Sequence, residues 1–513
     1  MKARKEKPHI RVERFSDRNI SPLERHPRVG KTLKNPFSRI PSMTPRSWVN
    51  ECIPNVLWAC ILVSALERTE CLSLFRSAII NARERVKNYE DTFISHNHLA
   101  RLANEDFDII FRNVFASKPA VTALSALLLV DCLPDRAHWE RHLTEPDAQH
   151  WQVLSRAVAD TFDHQSQKAT DVRWLKLMHM VIMGRVHFSS AQAEFVEELR
   201  LYPDKGDMRA VRPSIRAAEI AFRTFEFGEE SKIELPKRHS EDFWSEMHRK
   251  TQCLPEDQPR PHETPKKAAR ALLDIAQRLA DHFHSTISHT GIDARHDSSF
   301  GLTLYSIQLL TEASIMYNHS AALGRSVLRT IVECFIALAY LTSKDDPALW
   351  LKHRDYGSGQ AKLAFLKNLR AEGVPKFIDL DRLERQANED RWLEFSDINL
   401  GSWSELSLRA MAEEANVKDI YDSYLDICSS YVHGNWAAIR DASFTMCWNP
   451  LHRFHRIPAP PNLAMSSIIP DGSSLIDRML DELAKLYPGF KYRLSDGHAV
   501  EVEEPAVDQE EQV

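Results

Sequence analysis

Apolar residues recur three and four positions apart through most of residues 45–228 and again through 266–434, and no stretch alternates polar with apolar over the length of a strand. That period builds a helix with one apolar stripe, whereas in a strand it would scatter the same side chains over both faces. The scarcity of glycine, 15 among 513 residues, fits the same reading, since a glycine inside a helix costs about 1 kcal/mol relative to alanine. The expected fold class is all-α.

A chain of this length exceeds one ordinary core, so it is expected to divide. Residues 1–44 carry twelve lysines and arginines against four acids and show no apolar period, which predicts a basic flexible arm. Residues 45–228 form the first predicted helical domain, with Thr44 and Pro45 of "TPRSW" as its opening cap and first helical position. Its helices are predicted near 70–90, 103–115, 119–132, 147–164, 170–187, 190–201 and 208–227. Residues 229–267 read as a Pro-rich connector with a short helix near 240–252. Residues 268–490 form the second domain, with helices near 266–287, 299–319, 321–342, 346–371, 374–394, 403–414, 417–434 and 473–486; residues 491–513 are an acidic tail.

The net charge of −6 argues against a generally basic nucleic-acid binder but leaves the arm free to touch RNA or DNA. The eight cysteines are scattered without a C-x-x-C pair, which predicts buried free thiols in a reducing compartment. The most apolar run, "CIPNVLWACILVSAL", contains Pro54 and Asn55 and is shorter than a spanning helix requires. It predicts a buried core helix, no membrane association and a cytoplasmic protein.

Most catalytic motifs fail on their surroundings. Gly30-Lys31-Thr32 lacks the upstream glycine of a phosphate loop, Arg25 standing in its place. "SHNH" at 95–98 has the letters of a nuclease motif but not its spread over strands and a helix. His282, His284, His289 and His296 invite a metal reading, yet His282 and His284 point to different helix faces. They are read as a polar helix end. No metal site and no cofactor are assigned.

Two helices carry the remaining polar constellations. In "GRSVLRTIVECFIALAYL", Gly324 to Leu341, a broad apolar face leaves Arg329, Glu333 and Tyr340 on the other side with Arg325 at its edge. Arg329 and Glu333 are four apart and can pair. In "DIYDSYLDICSSYVHG", Asp419 to Gly434, the apolar side holds Tyr421, Tyr424, Leu425, Cys428, Tyr431 and Val432, with Ile420 and Ile427 at its margin. Asp422, Asp426, Ser429, Ser430 and His433 gather opposite. Gly434 suits a helix C-cap, and a protonated histidine in the last turn suits the helix dipole. The alternative reading makes His433 an acid/base group oriented by Asp426 or Ser429.

These stretches, with "HRDYGSGQAKLA" between them, resemble a bacterial helical family known only as domain of unknown function fifty-six seventy-seven, over roughly 300–440. The resemblance implies a helical bundle in which the Arg329/Glu333 helix faces the His433 helix. That family in turn is distantly similar to HEPN domains, helical bundles common in toxin and antiphage proteins. HEPN ribonucleases carry an arginine, a polar residue and a later histidine on one helix. Carried over, His433 is the matching histidine, and the arginine position falls on Asp426, Ile427 or Cys428, none of them arginine.

The expected function is therefore a non-catalytic helical interaction protein with a protein partner or a second copy of itself, in bacterial antiphage defence or stress response. One alternative is a metal-independent HEPN-like ribonuclease. It would use His433, Arg329 and Glu333 for catalysis and Arg325, Asp426, Ser429 and Tyr340 for binding, with His433 in a cleft within reach of Arg329 or Glu333. Another is nucleic-acid binding through the basic arm. Whether the chain is an enzyme stays open at this level.

Overall fold

The computed structural model describes residues 26, 28–34, 46–85, 94–182, 193–202, 208–225, 235–257, 265–288, 292–316, 318–388, 398 and 401–496. Most of the arm, a third of the connector and most of the tail lie outside these residues. The described chain is all-α, with only two-stranded ribbons of two or three residues per strand. One of them, Arg28–Val29 with Thr32–Leu33, turns at Gly30, whose φ of 62° belongs to glycine. Gly30-Lys31-Thr32 is thus a hairpin turn.

The chain forms two compact units, Met1–Leu254 with Cys447–His455, and Pro255–Met446 with Arg456–Val513. In the first unit the helix start lies at Trp48, capped by the Ser47 hydroxyl on the Asn50 amide; Thr44 and Pro45 lie outside the described residues. The entry turn and α1 (Leu57–Ala65) bend by 86° at Val56. Helix α1 is buried from Leu57 to Val63 because it is enclosed by α2 (Arg68–Arg85), α4 (Ala148–Phe162) and α5 (Gln167–Ile182). Trp58 meets Phe75 and Phe111 of α3 (Asn104–Ala116) edge-on, at 5.7 and 5.1 Å between ring centroids, a geometry favoured by ring quadrupoles. Helix α6 (Met208–Phe225) packs on α5. Helix α7 (Leu235–Lys250), expected as a connector helix, buries Phe243, Trp244 and Met247 in this core. The same core takes in Leu451 from the returning segment.

Several charged side chains are buried here in hydrogen-bonded networks. Arg173 donates to Glu219 at 2.8 Å and to the carbonyls of His164 and Arg216. Asp135 accepts from the His96 Nδ1 at 2.9 Å and from the Trp139 indole at 2.8 Å. The Trp58 amide donates to His96 Nε2, which fixes the proton on Nδ1. His96 of "SHNH" is therefore a satisfied core histidine.

The second unit centres on α10 (Ala322–Lys344), with α8 (Lys266–Thr286) and α9 (Ala294–Ile315) before it and α11 (Pro347–Leu369), α12 (Lys418–Val432), α13 (Trp436–Ser443) and α14 (Ile469–Leu486) after it. Helices α9, α12 and α14 pack directly on α10. By length and composition α10 is apolar enough to cross a membrane, as is the bent pair ending in α1. Both have the surroundings of core helices. A residue-324 side chain would collide with the Asn318 carbonyl, 2.5 Å from an ideal Cβ, so glycine lets the start of α10 close onto the preceding turn.

Candidate functional site

Arg329 and Glu333 project from the half-buried side of α10 toward α12. Their side chains are 23% and 35% exposed, and Arg329 Nη2 lies 2.9 Å from Glu333 Oε1. Arg329 Nη1 donates to Glu333 Oε2 at 3.2 Å, and its Nε donates across to Ser429 Oγ of α12 at 3.1 Å. The fork-to-carboxylate geometry is bidentate, the arrangement that suits guanidinium best. Burial pushes the Glu333 carboxyl above its usual range, while Arg329 and His433 pull it back. The interhelical bond to Ser429 agrees with the expected facing of these two helices.

His433 closes α12. Its amide donates to the Ser429 carbonyl, Gly434 follows at φ 60°, and the Asn435 amide returns to the Ser430 carbonyl at 2.9 Å. That last bond is the long closure of a Schellman motif, which satisfies carbonyls left over at a helix end. The imidazole is exposed and makes no hydrogen bond to Arg329 or Glu333 among the described residues. The cleft expected around it is replaced by an open corner. Asp426 is exposed two turns earlier on the same face.

The other expected members part company. Tyr340 shares the helix face of Arg329 and Glu333, but that end of the face is covered: Tyr340 is buried, with its ring 6.1 Å from Trp403. Arg325 donates to the Ser466 carbonyl at 2.7 Å and to Ala321, so it anchors a loop. The margin residue Ile427 is 65% exposed and Val432, expected on the apolar side, is 44% exposed. Just beyond Gly434, Trp436 and Ile439 of α13 are exposed as well, at 62% and 39%. Apolarity in sequence predicts burial, so the exposure of these four side chains is not legible from the pattern.

"HRDYGSGQAKLA" forms part of α11. His353 shares a hydrogen bond of 3.0 Å with Ser298, and Arg354 pairs with Asp297 at 3.1 Å. With Gly301, Leu302, Tyr305 and Gly357 they line an open groove of about 300 Å³ between α9 and α11. Burial pushes the His353 imidazole below its usual range, which keeps it neutral there. Of the four clustered histidines, His282 bonds the Tyr487 carbonyl and His296 bonds Thr286, while His289 lies outside the described residues. Among the described residues, His282, His284 and His296 form no group that could hold a metal ion.

No disulfide joins the eight cysteines, but Cys253 is exposed and Cys132 only partly covered, against the expectation that all are buried. Comparisons with curated proteins and with solved structures give no match. Residues 299–448 match the model of a family of unknown function (DUF5677), which spans α10, α11, α12, α13 and the corner at His433.

Proposed function

We propose that this is a non-catalytic interaction protein whose docking surface is the corner where α12 passes into α13. The observation that carries the reading is the exposure of Ile427, Val432, Trp436 and Ile439 around one helix junction. Several large apolar side chains left exposed within one short stretch of chain point to a contact site, and tryptophan is enriched at the energetic centre of such sites. We take the partner to be a second copy of the chain. The corner carries an exposed acid, Asp426, and an exposed imidazole, His433, on one helix face. A two-fold axis sets each against the other's counterpart, as closed symmetric pairs require.

Sedimentation velocity of the full chain tests this. The wild type is expected to form a concentration-dependent dimer and Trp436→Asp to stay monomeric with an unchanged far-ultraviolet spectrum. A wild type that remains monomeric at the highest attainable concentration overturns the reading, as does a Trp436→Asp protein that dimerises equally well. A setting in bacterial antiphage defence or stress response goes with this proposal, on the likeness to HEPN domains. It calls for altered phage sensitivity in bacteria carrying the gene.

A ribonuclease reading has one observation in its favour: an exposed imidazole stands one turn from Ser429, which holds a guanidinium. Against it, the Arg329 fork is already occupied by Glu333 and Ser429, so its charge is matched before any phosphate arrives. The basic arm supplies a separate nucleic-acid reading. It requires affinity that falls steeply with salt and disappears with residues 1–44.

A further inference from the structure

The first unit gathers three imidazoles and a thiol that no sequence motif connects. His248 lies in the last turn of α7, Cys253 lies five residues on, and His452 and His455 come from the returning segment. One ligand-type atom from each lies within 4.8 Å of every other. The three ring centroids form a near-regular triangle with sides of 4.8, 5.2 and 5.2 Å. The Cys253 sulfur caps it, 3.3 Å from His455 Nε2 and 3.5 Å from His452 Nδ1. A tetrahedral zinc ion with ordinary zinc–nitrogen and zinc–sulfur bonds has nitrogen–sulfur edges of about 3.5 Å.

The surroundings prepare the ligands. The Thr251 hydroxyl gives its single proton to the Met247 carbonyl at 2.8 Å. It must therefore accept at 2.9 Å from the Nε2–H of His452. That leaves the lone pair of His452 on Nδ1, the atom that faces the sulfur. Asn449 donates to the same hydroxyl at 3.1 Å and holds it in place. An outer hydrogen bond that fixes the tautomer of a ligating histidine is a recurring feature of metal sites.

The backbone between the two histidines is strained in the direction this role needs. Arg453 and Phe454 both have positive φ, 56° and 47°, a conformation rare for any side-chain-bearing residue and an outlier for a bulky one. These two residues turn the chain so that His452 and His455 point to the same place. Such strain persists where other contacts over-determine it. Here Phe454 packs on Phe162, 4.4 Å between centroids, and Leu451 is seated in the core.

We propose that His248, Cys253, His452 and His455 hold a structural zinc ion. A thiolate with three neutral imidazoles suits zinc among the common divalent ions, and four protein ligands fill its tetrahedron, leaving no open position for substrate. The ion clamps residues 447–455 to the C-terminal end of α7, joining ligands 202 positions apart in the chain. Cys447 lies beside the site: its buried sulfur is also 3.5 Å from His452 Nδ1 but accepts the Leu254 amide at 3.3 Å, and it is not among the four residues whose ligand atoms all converge.

The test uses full-length, tag-free protein. Metal analysis is expected to find one zinc per chain. Cobalt exchanged into the site is expected to show tetrahedral ligand-field bands with a sulfur-to-cobalt charge-transfer band. Cys253→Ser should lose the charge-transfer band. His455→Gln, at a partly exposed position that tolerates change better, should weaken cobalt binding more than about 10-fold, and Thr251→Val about 10-fold or more through the lost tautomer lock. Cys447→Ser should keep the band. Protein that takes up neither zinc nor cobalt overturns the proposal and leaves a hydrogen-bonded thiol–imidazole cluster. A charge-transfer band that survives Cys253→Ser but not Cys447→Ser overturns the ligand assignment.

Discussion

The two units handle charge in opposite ways. The first buries it: Arg173 and Glu219 are 0% and 3% exposed and fully bonded. In the second, Lys362 is buried, but the Arg329–Glu333 pair stays at the rim, open to water on one side. A buried pair is costly to break because one charge stays behind uncompensated, whereas a rim pair is worth little. The polar residues of the first unit are therefore structural commitments. The rim pair and the exposed Asp426 and His433 of the second can be altered without unfolding it, which makes its corner a surface that can be probed.

The sharpest way to break the contrast is Glu219→Ala. It strands the Arg173 guanidinium in the core, so a loss of about 3–5 kcal/mol is expected in chemical denaturation of the first unit. An effect below about 1 kcal/mol would erase the distinction between buried and rim pairs.

Acid should act strongly on the first unit. Burial, with His96 beside it, pushes the His239 imidazole down to about 4 from an ordinary 6.5. The unfolded chain then binds a proton that the folded one refuses. The associated stability is complete above pH 6.5 and is lost as the pH falls towards 4. Between pH 7 and pH 5 the expected loss is about 2 kcal/mol, measurable as a shift in the denaturation midpoint. His239→Gln should flatten that dependence.

Gly324→Ala sharpens the comparison from the other side, because it places a methyl group against a backbone carbonyl in the apolar second unit. Overpacking of this kind costs about 1–3 kcal/mol, and thermal unfolding should show it. Arg329→Met should cost less than about 1 kcal/mol. His433→Ala should cost still less, about 0.5 kcal/mol, since only a dipole interaction at an exposed helix end is removed.

Much of the fold was legible because period and punctuation agree. The 208–227 and 266–287 segments, for example, appear as Met208–Phe225 and Lys266–Thr286. The short helices His96–Leu99 and Arg136–Glu140 were not, since one turn holds too few residues to display a period. In the candidate site, the Arg329–Glu333 pair follows from spacing alone. Its bond to Ser429 depends on which helices meet, and the family resemblance rather than the pattern supplied that. The exposure of Ile427 and Trp436 is tertiary information: their apolarity in sequence says buried. The cluster at His248, Cys253, His452 and His455 was out of reach for a different reason. Its two halves are far apart in the chain, and "NPLHRFHRIPAPPN" reads as irregular until the strained turn at Arg453 and Phe454 is seen.

The measurement that bears most directly on the central claim is RNA integrity after induced expression in bacteria, with wild type and His433→Ala side by side. Intact RNA in both is the result expected of a docking corner whose histidine closes a helix. RNA degraded by the wild type and spared by His433→Ala would contradict the account and make the exposed imidazole a catalytic group.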